Sequence, residues 1–342
     1  MNTLLLGIGQ AGTTISSIIS QNLIEESKYF VNLNSISCKA FLIDSESKVI
    51  SNILTQNKKL SPFFSKFTNI ITNNYGRGNN WALGHSLKFK EFKTENNINE
   101  KSYEYLKNYM EKCDFLDKIV VIHSLNGGTG SGVGTRQIEM IKDDFNKIKI
   151  YSCPVFGYNI ENTCLSQFNC FFTLSSIYDI VDGIIKLDNE NIVNNKNMIL
   201  SDQIEANLIS DFIINSDKNE FNFEKFFVGN KFVDVGNFND DFIVNYNNFT
   251  PEKIVNKLYK NLKGKILTVD NLYKTKENKN KEYLIIDKNI NKLLKCEKNN
   301  CRFIQDKNLK NNKMSINTFY KSKNIEWLNN LIDKVAQKIQ QR

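Results

Sequence analysis

Histidine is scarce, with two in 342 residues, which leaves little for His-based metal ligation or nucleophilic catalysis. No stretch approaches the roughly 18 unbroken apolar residues of a membrane-spanning helix. The N-terminus, MNTLLLGIGQ, has no basic start and no small-residue cleavage site, and TLLL is too short for a signal-peptide core. The sequence therefore argues for a cytosolic chain with no membrane partner. Cysteines number seven, an odd count in a chain long enough to need no staples. Cys38, Cys113, Cys153, Cys164 and Cys170 stand singly in apolar or mixed contexts and read as free buried thiols. Cys296 and Cys301 form a CxxxxC with no second ligand pair, weak ground for zinc. No G-x-x-x-x-G-K-[ST] occurs, so the P-loop lysine is missing. The interleaved aromatics and arginines that base stacking needs are missing too. The net charge of +8 concentrates in lysines after about residue 255, and Lys/Asn abundance reads as codon bias rather than as a nucleic-acid surface.

Hydrophobic residues make up 41% and charged residues 24%, enough for a packed core and against disorder throughout. At roughly 150 residues per domain the length suggests two domains. Thr3–Leu6 is a short apolar run that ends in GIGQAG (7–12), and Thr13–Leu23 follows with Ile15, Ile18, Ile19 and Leu23 at helical spacing. Ala40–Ile43 reads as a buried strand ending at Asp44-Ser45-Glu46, and Tyr75–His85 as a polar loop. Glu100–Cys113 reads as a helix, Lys118–Ser124 as the clearest strand, Val133–Phe145 as a helix and Ile148–Val155 as a strand. Helices are expected at Phe171–Ile185, Asn189–Asn194, Ser201–Ile214, Pro251–Leu262 and Ile325–Ile339, with short apolar stretches at Tyr283–Ile286 and Cys301–Ile304. Strands alternating with helices predict a parallel sheet covered on both faces.

Two glycine loops carry the chemistry. GIGQAG fits G-x-G-x-x-G between strand and helix, where glycines let a phosphate approach the backbone at a helix N-terminus. Alone it is a weak signal, equally suited to a tight turn. NGGTGSG (126–132) is more specific: its glycines permit positive φ and expose successive N–H groups, and Thr129 and Ser131 add hydroxyls. Two such loops on one sheet can converge on a single polyphosphate. Asp44 and Glu46 emerge at the same sheet end and suit Mg²⁺, directly or through water. Asn79 and Asn80 offer amides for phosphate or ribose, and Trp81 reads as a packing anchor under their loop.

These residues bear a family likeness. HSLNGGTGSGVG (123–134) resembles the signature loop of the tubulin superfamily. GQAG (9–12), LIDSES (42–47) and GNNWALGH (78–85) resemble its other phosphate loops in the same order, and LDNENI (187–192) resembles the start of its central helix. The likeness covers about residues 1–210. EKCD (111–114) and FNCFFTLSSIYDI (168–180) look most like the delta-tubulin branch.

The resemblance implies a doubly wound α/β GTP-binding domain at 1–195, a central helix at 196–215, a reduced, divergent α+β intermediate domain at 216–312 and a C-terminal helix segment at 313–342. It implies GTP or GDP with Mg²⁺. Gly9, Gln10, Ala11 and Gly12 would line the first phosphate loop, and Glu46, with Asp44, the metal site. Asn79 would approach the γ-phosphate. Ser124, Gly127, Gly128, Thr129, Gly130 and Ser131 would hold the α- and β-phosphates and nearby atoms, and Asn189 the guanine edge. With no lysine or arginine in the phosphate loops, backbone amides and the metal would neutralise the charge.

Departures qualify it. Where the family stacks an aromatic on guanine, this chain reads Leu200-Ser201-Asp202, with Asn207 only loosely matching the next contact. The acidic ribose contact falls at Ser166. The GxxNxD-type loop that completes a neighbouring subunit's site is not visible after Ser210, the nearest acids being Asp217, Glu220 and Glu224. The chain is short against the family and lacks the acidic tail. The expected activity is therefore GTP binding with hydrolysis that is weak or dependent on a partner subunit. The expected setting is the cytoplasmic cytoskeleton, at centrioles or basal bodies of ciliated cells, with other tubulins or microtubule ends as partners. Two alternatives stand: a divergent tubulin that polymerises by itself and hydrolyses GTP on assembly, and a dinucleotide-dependent enzyme using GIGQAG alone.

Overall fold

The computed structural model describes residues 3–29, 38–56, 68–73, 75–86, 97–113, 116–158, 163–189, 198–217, 227, 232–237, 283–285, 300–305, 314–321 and 326–340. The helix expected at 251–262, Cys296 and the segment 190–194 lie outside them.

The chain forms two compact units, 1–231 with 325–342, and 232–324. The first is built on strands β1 (Thr3–Ile8), β2 (Cys38–Asp44), β3 (Thr68–Thr72), β4 (Lys118–Ser124), β5 (Lys149–Phe156) and β6 (Gly183–Asp188). They lie in the order β3-β2-β1-β4-β5-β6 and all pair in parallel. β1 and most of β4 are buried on both faces, which is why they read as unbroken apolar runs instead of alternating ones. The chain winds outward from β1 to β3, then returns to β4 on the other side of β1. That reversal opens a crevice at the carboxyl ends of β1 and β4, the usual ligand position in such sheets.

Helices α1 (Gly9–Tyr29), α2 (Ser47–Gln56), α3 (Trp81–His85), α4 (Ile98–Met110), α5 (Gly134–Asp144), α6 (Cys164–Ile177), α7 (Met198–Asp217) and α8 (Glu326–Gln340) complete the unit. α7 lies against α1: Asn22 Nδ2 donates to Asn207 Oδ1 at 3.0 Å and to Ser210 Oγ at 3.1 Å. On α8, Leu331 packs on the buried cluster of Leu125, Cys170 and Leu174.

The helix expected over Phe171–Ile185 is corrected. It runs Cys164–Ile177, capped by Thr163 Oγ1, which accepts from Ser166 N at 3.1 Å. Gly183–Asp188 is instead strand β6. A short apolar run does not declare its period; here the turn before it decides. Asp182 N donates to Ile150 O at 2.8 Å, and its carboxylate accepts from Ile150 N at 2.9 Å and meets Lys142 at 3.2 Å. That pins the chain beside β5 in extended form. α2 and the edge strand β3 were not anticipated.

In the second unit, strands β7 (Phe232–Asn237), β10 (Met314–Lys321), β9 (Asn300–Gln305) and β8 (Tyr283–Ile285) pair antiparallel in that order. No helix among the described residues is long and apolar enough to cross a membrane.

Candidate functional site

Both glycine loops leave adjacent strands, so β1–β4 pairing brings them together, Ile8 beside His123. Gly9 holds φ +75°, and a Cβ there would stand 2.7 Å from Gly130 N, so the two loops meet backbone to backbone. After Gly128 the chain makes a π-helical turn, Thr129–Val133, before α5. The second loop does not use positive φ as expected: among the described residues only Gly9, Gly78 and Asn79 have it, and Gly128 sits at φ −75°. Its glycines serve close approach. A Cβ on Gly128 would lie 2.6 Å from Asn80 N and 2.9 Å from Arg77 O.

Around the loops lies a crevice of about 890 Å³, within the roughly 300–1,000 Å³ usual for ligand sites. Gln10, Ala11 and Thr14 line it from the first loop and α1, and Ser124 and Asn126–Gly130 from the second. Asp44 and Glu46, then Arg77, Gly78 and Asn79, close one side; Thr163, Leu165, Ser166, Asn189 and Asp202 close the other. Asp44 ends β2 and Asn189 follows β6, four strand steps apart in the sheet, or roughly 19 Å.

Most of the expected site residues therefore line one cavity: Gln10, Ala11, Asp44, Glu46, Asn79, Ser124, Gly127, Gly128, Thr129, Gly130 and Asn189. Gly9, Gly12 and Ser131 do not. Gly9 and Gly12 permit the packing beneath it. Ser131 is fully buried; its hydroxyl donates to Gly127 O, and its carbonyl accepts from Thr135 Oγ1 at 2.7 Å. It shapes the loop from below.

The loop carrying Asn79 is tightly determined. Asn79 holds φ 51°, unusual for a side-chain-bearing residue. Asn80 caps α3, its Oδ1 accepting from Ala82 N at 2.9 Å. Buried Asn169 on α6 clamps the region: Nδ2 donates to Asn79 O at 2.6 Å and Asn126 O at 2.8 Å, while Oδ1 accepts from Trp81 N at 2.9 Å. The sequence reading missed Asn169; an asparagine inside the apolar run FNCFF was the available signal. Trp81 is a packing anchor as expected, stacked on His85 at 4.4 Å and set against Phe172 at 5.3 Å.

Electrostatics divide the crevice. Asp44 is 3% exposed; burial pushes its carboxyl up to about 6, opposed by the Glu46 N–H that it accepts at 2.8 Å, while the Glu46 charge adds to the rise. Ser45 Oγ and Thr129 Oγ1 hydrogen-bond at 2.5 Å and join this acidic turn to the second loop. At the other side, burial raises Asp202 to about 7. Glu205, one turn on, is fully buried, with neither carboxyl oxygen hydrogen-bonded among the described residues; burial, then the charges of Asp202 and Asp188, hold it well above the carboxylate range. Asn189 Oδ1 is buried with no hydrogen-bond partner among the described residues. The phosphate loops carry no lysine or arginine, but Arg77, immediately before the loop 78–85, also lines the crevice. Of the thiols, Cys153 and Cys170 are free and buried as expected, whereas Cys113 is only half-buried and Cys164 is exposed.

A parallel, doubly wound sheet with two touching glycine loops at its switch point places the chain in the class of α/β folds whose loops at that point suit phosphate. Residues 2–197 match the model of the Tubulin/FtsZ family, GTPase domain, and the chain belongs to that family. It is similar to the mouse (Mus musculus) tubulin epsilon chain, 31% identical over 160 residues, 47% of this chain and 32% of that one. It is also similar to Gallus gallus tubulin beta-6, 30% identical over 153 residues, 44% and 32% of the two chains. With the Cicer arietinum tubulin beta chain it shares 29% over 190 residues, 54% and 40%. The matches thus span about a third of the curated relatives' length. Among solved structures, CetZ from Methanosaeta thermophila strain DSM 6194 shares the fold at TM-score 0.65 and 16% identity, covering 100% of this chain and 92% of that one.

Proposed function

We propose that this chain binds a guanine nucleotide, GTP or GDP with Mg²⁺, in the crevice and works as a tubulin-type cytoskeletal protein. The observation that carries this is the pair of glycine loops in contact at Gly9 and Gly130, with carboxylates at one end of their crevice and, at the other, a buried acceptor that no described residue satisfies. Backbone amides of the loops suit phosphates. Asn189 Oδ1 suits an N–H of the guanine edge. Mg²⁺ commonly takes one or two protein carboxylates and completes its shell with phosphate oxygens and water. Asp44 and Glu46 fit that donor set, and the desolvated Asp44 carboxyl gains most from a cation. Bound there, the metal would neutralise charge on the terminal phosphates.

Within the family, the EKCD and FNCFFTLSSIYDI motifs favour the delta branch, while the relatives above are epsilon and beta chains. We therefore propose an accessory tubulin that partners other tubulins or microtubule ends in centriole or basal-body organisation. A bulk filament subunit is the contrasting reading. Of the acids nearest to the missing GxxNxD loop, Asp217 ends α7, and Glu220 and Glu224 lie outside the described residues. Hydrolysis in isolation is expected to be slow. Chromatography of the nucleotide retained by the purified protein tests the ligand; NAD or no nucleotide overturns it. GTPase rate per molecule against concentration tests the role: a flat, low profile supports an accessory subunit, and a steep rise above a critical concentration supports self-assembly.

A further inference from the structure

The loop before Asn79 brings a cation into the crevice. Arg77 lines it with a half-buried guanidinium whose affinity for its proton burial lowers. Among the described residues no hydrogen bond or ion pair reaches that side chain, and Nε is shielded from solvent without a partner. Three other partly buried cations of this unit have a counter-charge: Arg136 in Glu139 at 3.0 Å, although its Nε too is buried without a hydrogen bond among the described residues, Lys142 in Asp182 at 3.2 Å and Lys186 in Asp188 at 2.7 Å. A desolvated charge with no counter-charge is costly, and folds retain one where a ligand supplies the missing partner.

Its place in the crevice says which part of a ligand that is. A Cβ on Gly128 would stand 2.9 Å from Arg77 Cβ, so the side chain is rooted against the second phosphate loop. Next door, a Cβ on Gly76 would stand 2.6 Å from Glu46 Oε1, so the same loop abuts the carboxylate end, not the Asn189 end. A guanidinium there offers a planar fork of donors matched to phosphoryl oxygens.

We propose that Arg77 is a ligand of the terminal phosphate, a cation supplied within this chain that selects nucleoside triphosphate over diphosphate and lessens reliance on Mg²⁺. This rests on the guanine-nucleotide reading above. It adds a point charge where the sequence pattern predicted amides and metal alone.

The test compares the wild type with Arg77→Ala and Arg77→Lys. Affinities for GTP, GDP and inorganic tripolyphosphate are measured by calorimetry with Mg²⁺ and with EDTA, alongside the melting temperature without ligand. Losing charge-assisted hydrogen bonds predicts roughly a tenfold to hundredfold loss of GTP affinity in the alanine variant. GDP affinity should stay within about threefold, the GTP loss should deepen in EDTA, and the lysine variant should fall between. The ligand-free alanine variant should melt no lower than wild type, because an uncompensated charge has gone; a purely structural arginine would lower it. If the alanine variant does not fold, the lysine variant decides, with GTP weakened and GDP unchanged. Equal changes for GTP and GDP, or none, overturn the proposal while wild-type GTP binding leaves the guanine reading standing. Conversely, Arg77-dependent tripolyphosphate binding without GTP binding would overturn the guanine reading and keep the phosphate ligand.

Discussion

Alanine at Gly127 and alanine at Gly128 should have opposite consequences, although the residues are neighbours in one loop. At Gly128 a methyl would stand 2.6 Å from Asn80 N and 2.9 Å from both Arg77 Cβ and Arg77 O. Two of these are backbone atoms of a loop fixed by Asn169 and by the α3 cap, so they cannot yield cheaply. Overpacking of this kind costs about 1–3 kcal/mol. For a domain of this size that is about 2–4 °C of melting temperature per kcal/mol. At Gly127 the nearest atoms would be Ser124 Oγ at 3.4 Å and Asn79 Oδ1 at 4.0 Å, ordinary contact, and φ is not positive. There alanine restricts the unfolded chain and should leave stability unchanged or raise it by up to about 1 kcal/mol. Its methyl would, however, stand between Ser124 and Asn79 inside the crevice and hold a phosphate off the loop amides. Losing one such charge-assisted bond predicts roughly a tenfold to hundredfold weaker affinity for GTP. Thermal melts without ligand and nucleotide titration separate the two. The reasoning is refuted if Gly127→Ala melts as early as Gly128→Ala, or if it binds GTP like the wild type.

Three further outcomes follow from two buried groups and from one carboxylate of the proposed metal site. His123 is fully buried with Nε2 2.8 Å from Ser152 Oγ; burial, opposed by the Gly130 backbone, pushes it down to about 4. The unfolded chain takes up that proton first, so stability is intact above about pH 6.5 and should fall by about 3 kcal/mol as pH drops toward 4. Urea melts across that range check it, and His123→Asn should flatten this part of the slope. Glu205 has the opposite sign: its raised folded value means that stability present below the ordinary glutamate range is lost as pH rises. Glu205→Gln should therefore be more stable than wild type at pH 8 and similar at pH 4, by the same melts; no difference at pH 8 rejects the partnerless burial. Glu46→Ala should weaken Mg²⁺-dependent retention of GTP more than of GDP, measured by filter retention, whereas equal loss would mark Glu46 as structural.

Much of the fold was open to reading because its cause is local. Thr3–Ile8 and Lys118–Ser124 are apolar on both faces, so they declared themselves as central strands of a covered sheet. Gly9 follows directly and takes a positive φ, and the strand-to-helix turn there was legible from glycine alone. The order of four short motifs was enough to indicate the family that residues 2–197 match. Gly183–Asp188 was misread because six residues hold too little period, and the contacts that extend it belong to Ile150 and Lys142.

The sequence alone determined which residue types would gather at the sheet's carboxyl end, since apolar runs alternating with helices predict a parallel sheet, whose strand-to-helix loops all lie at that end. Only the tertiary structure decided which atoms face the crevice and which support it. Ser131 turns inward because its hydroxyl finds Gly127 O, and Gly128 is small because Asn80 and Arg77 press against it. Asn169, 43 residues from Asn126, ties two loops together. Arg77 and Glu205 become conspicuous only once burial strips them of water and, among the described residues, leaves Arg77 Nε and both Glu205 carboxyl oxygens without a hydrogen-bond partner. Desolvation is a property of the whole packed molecule, so no local pattern of letters carries it.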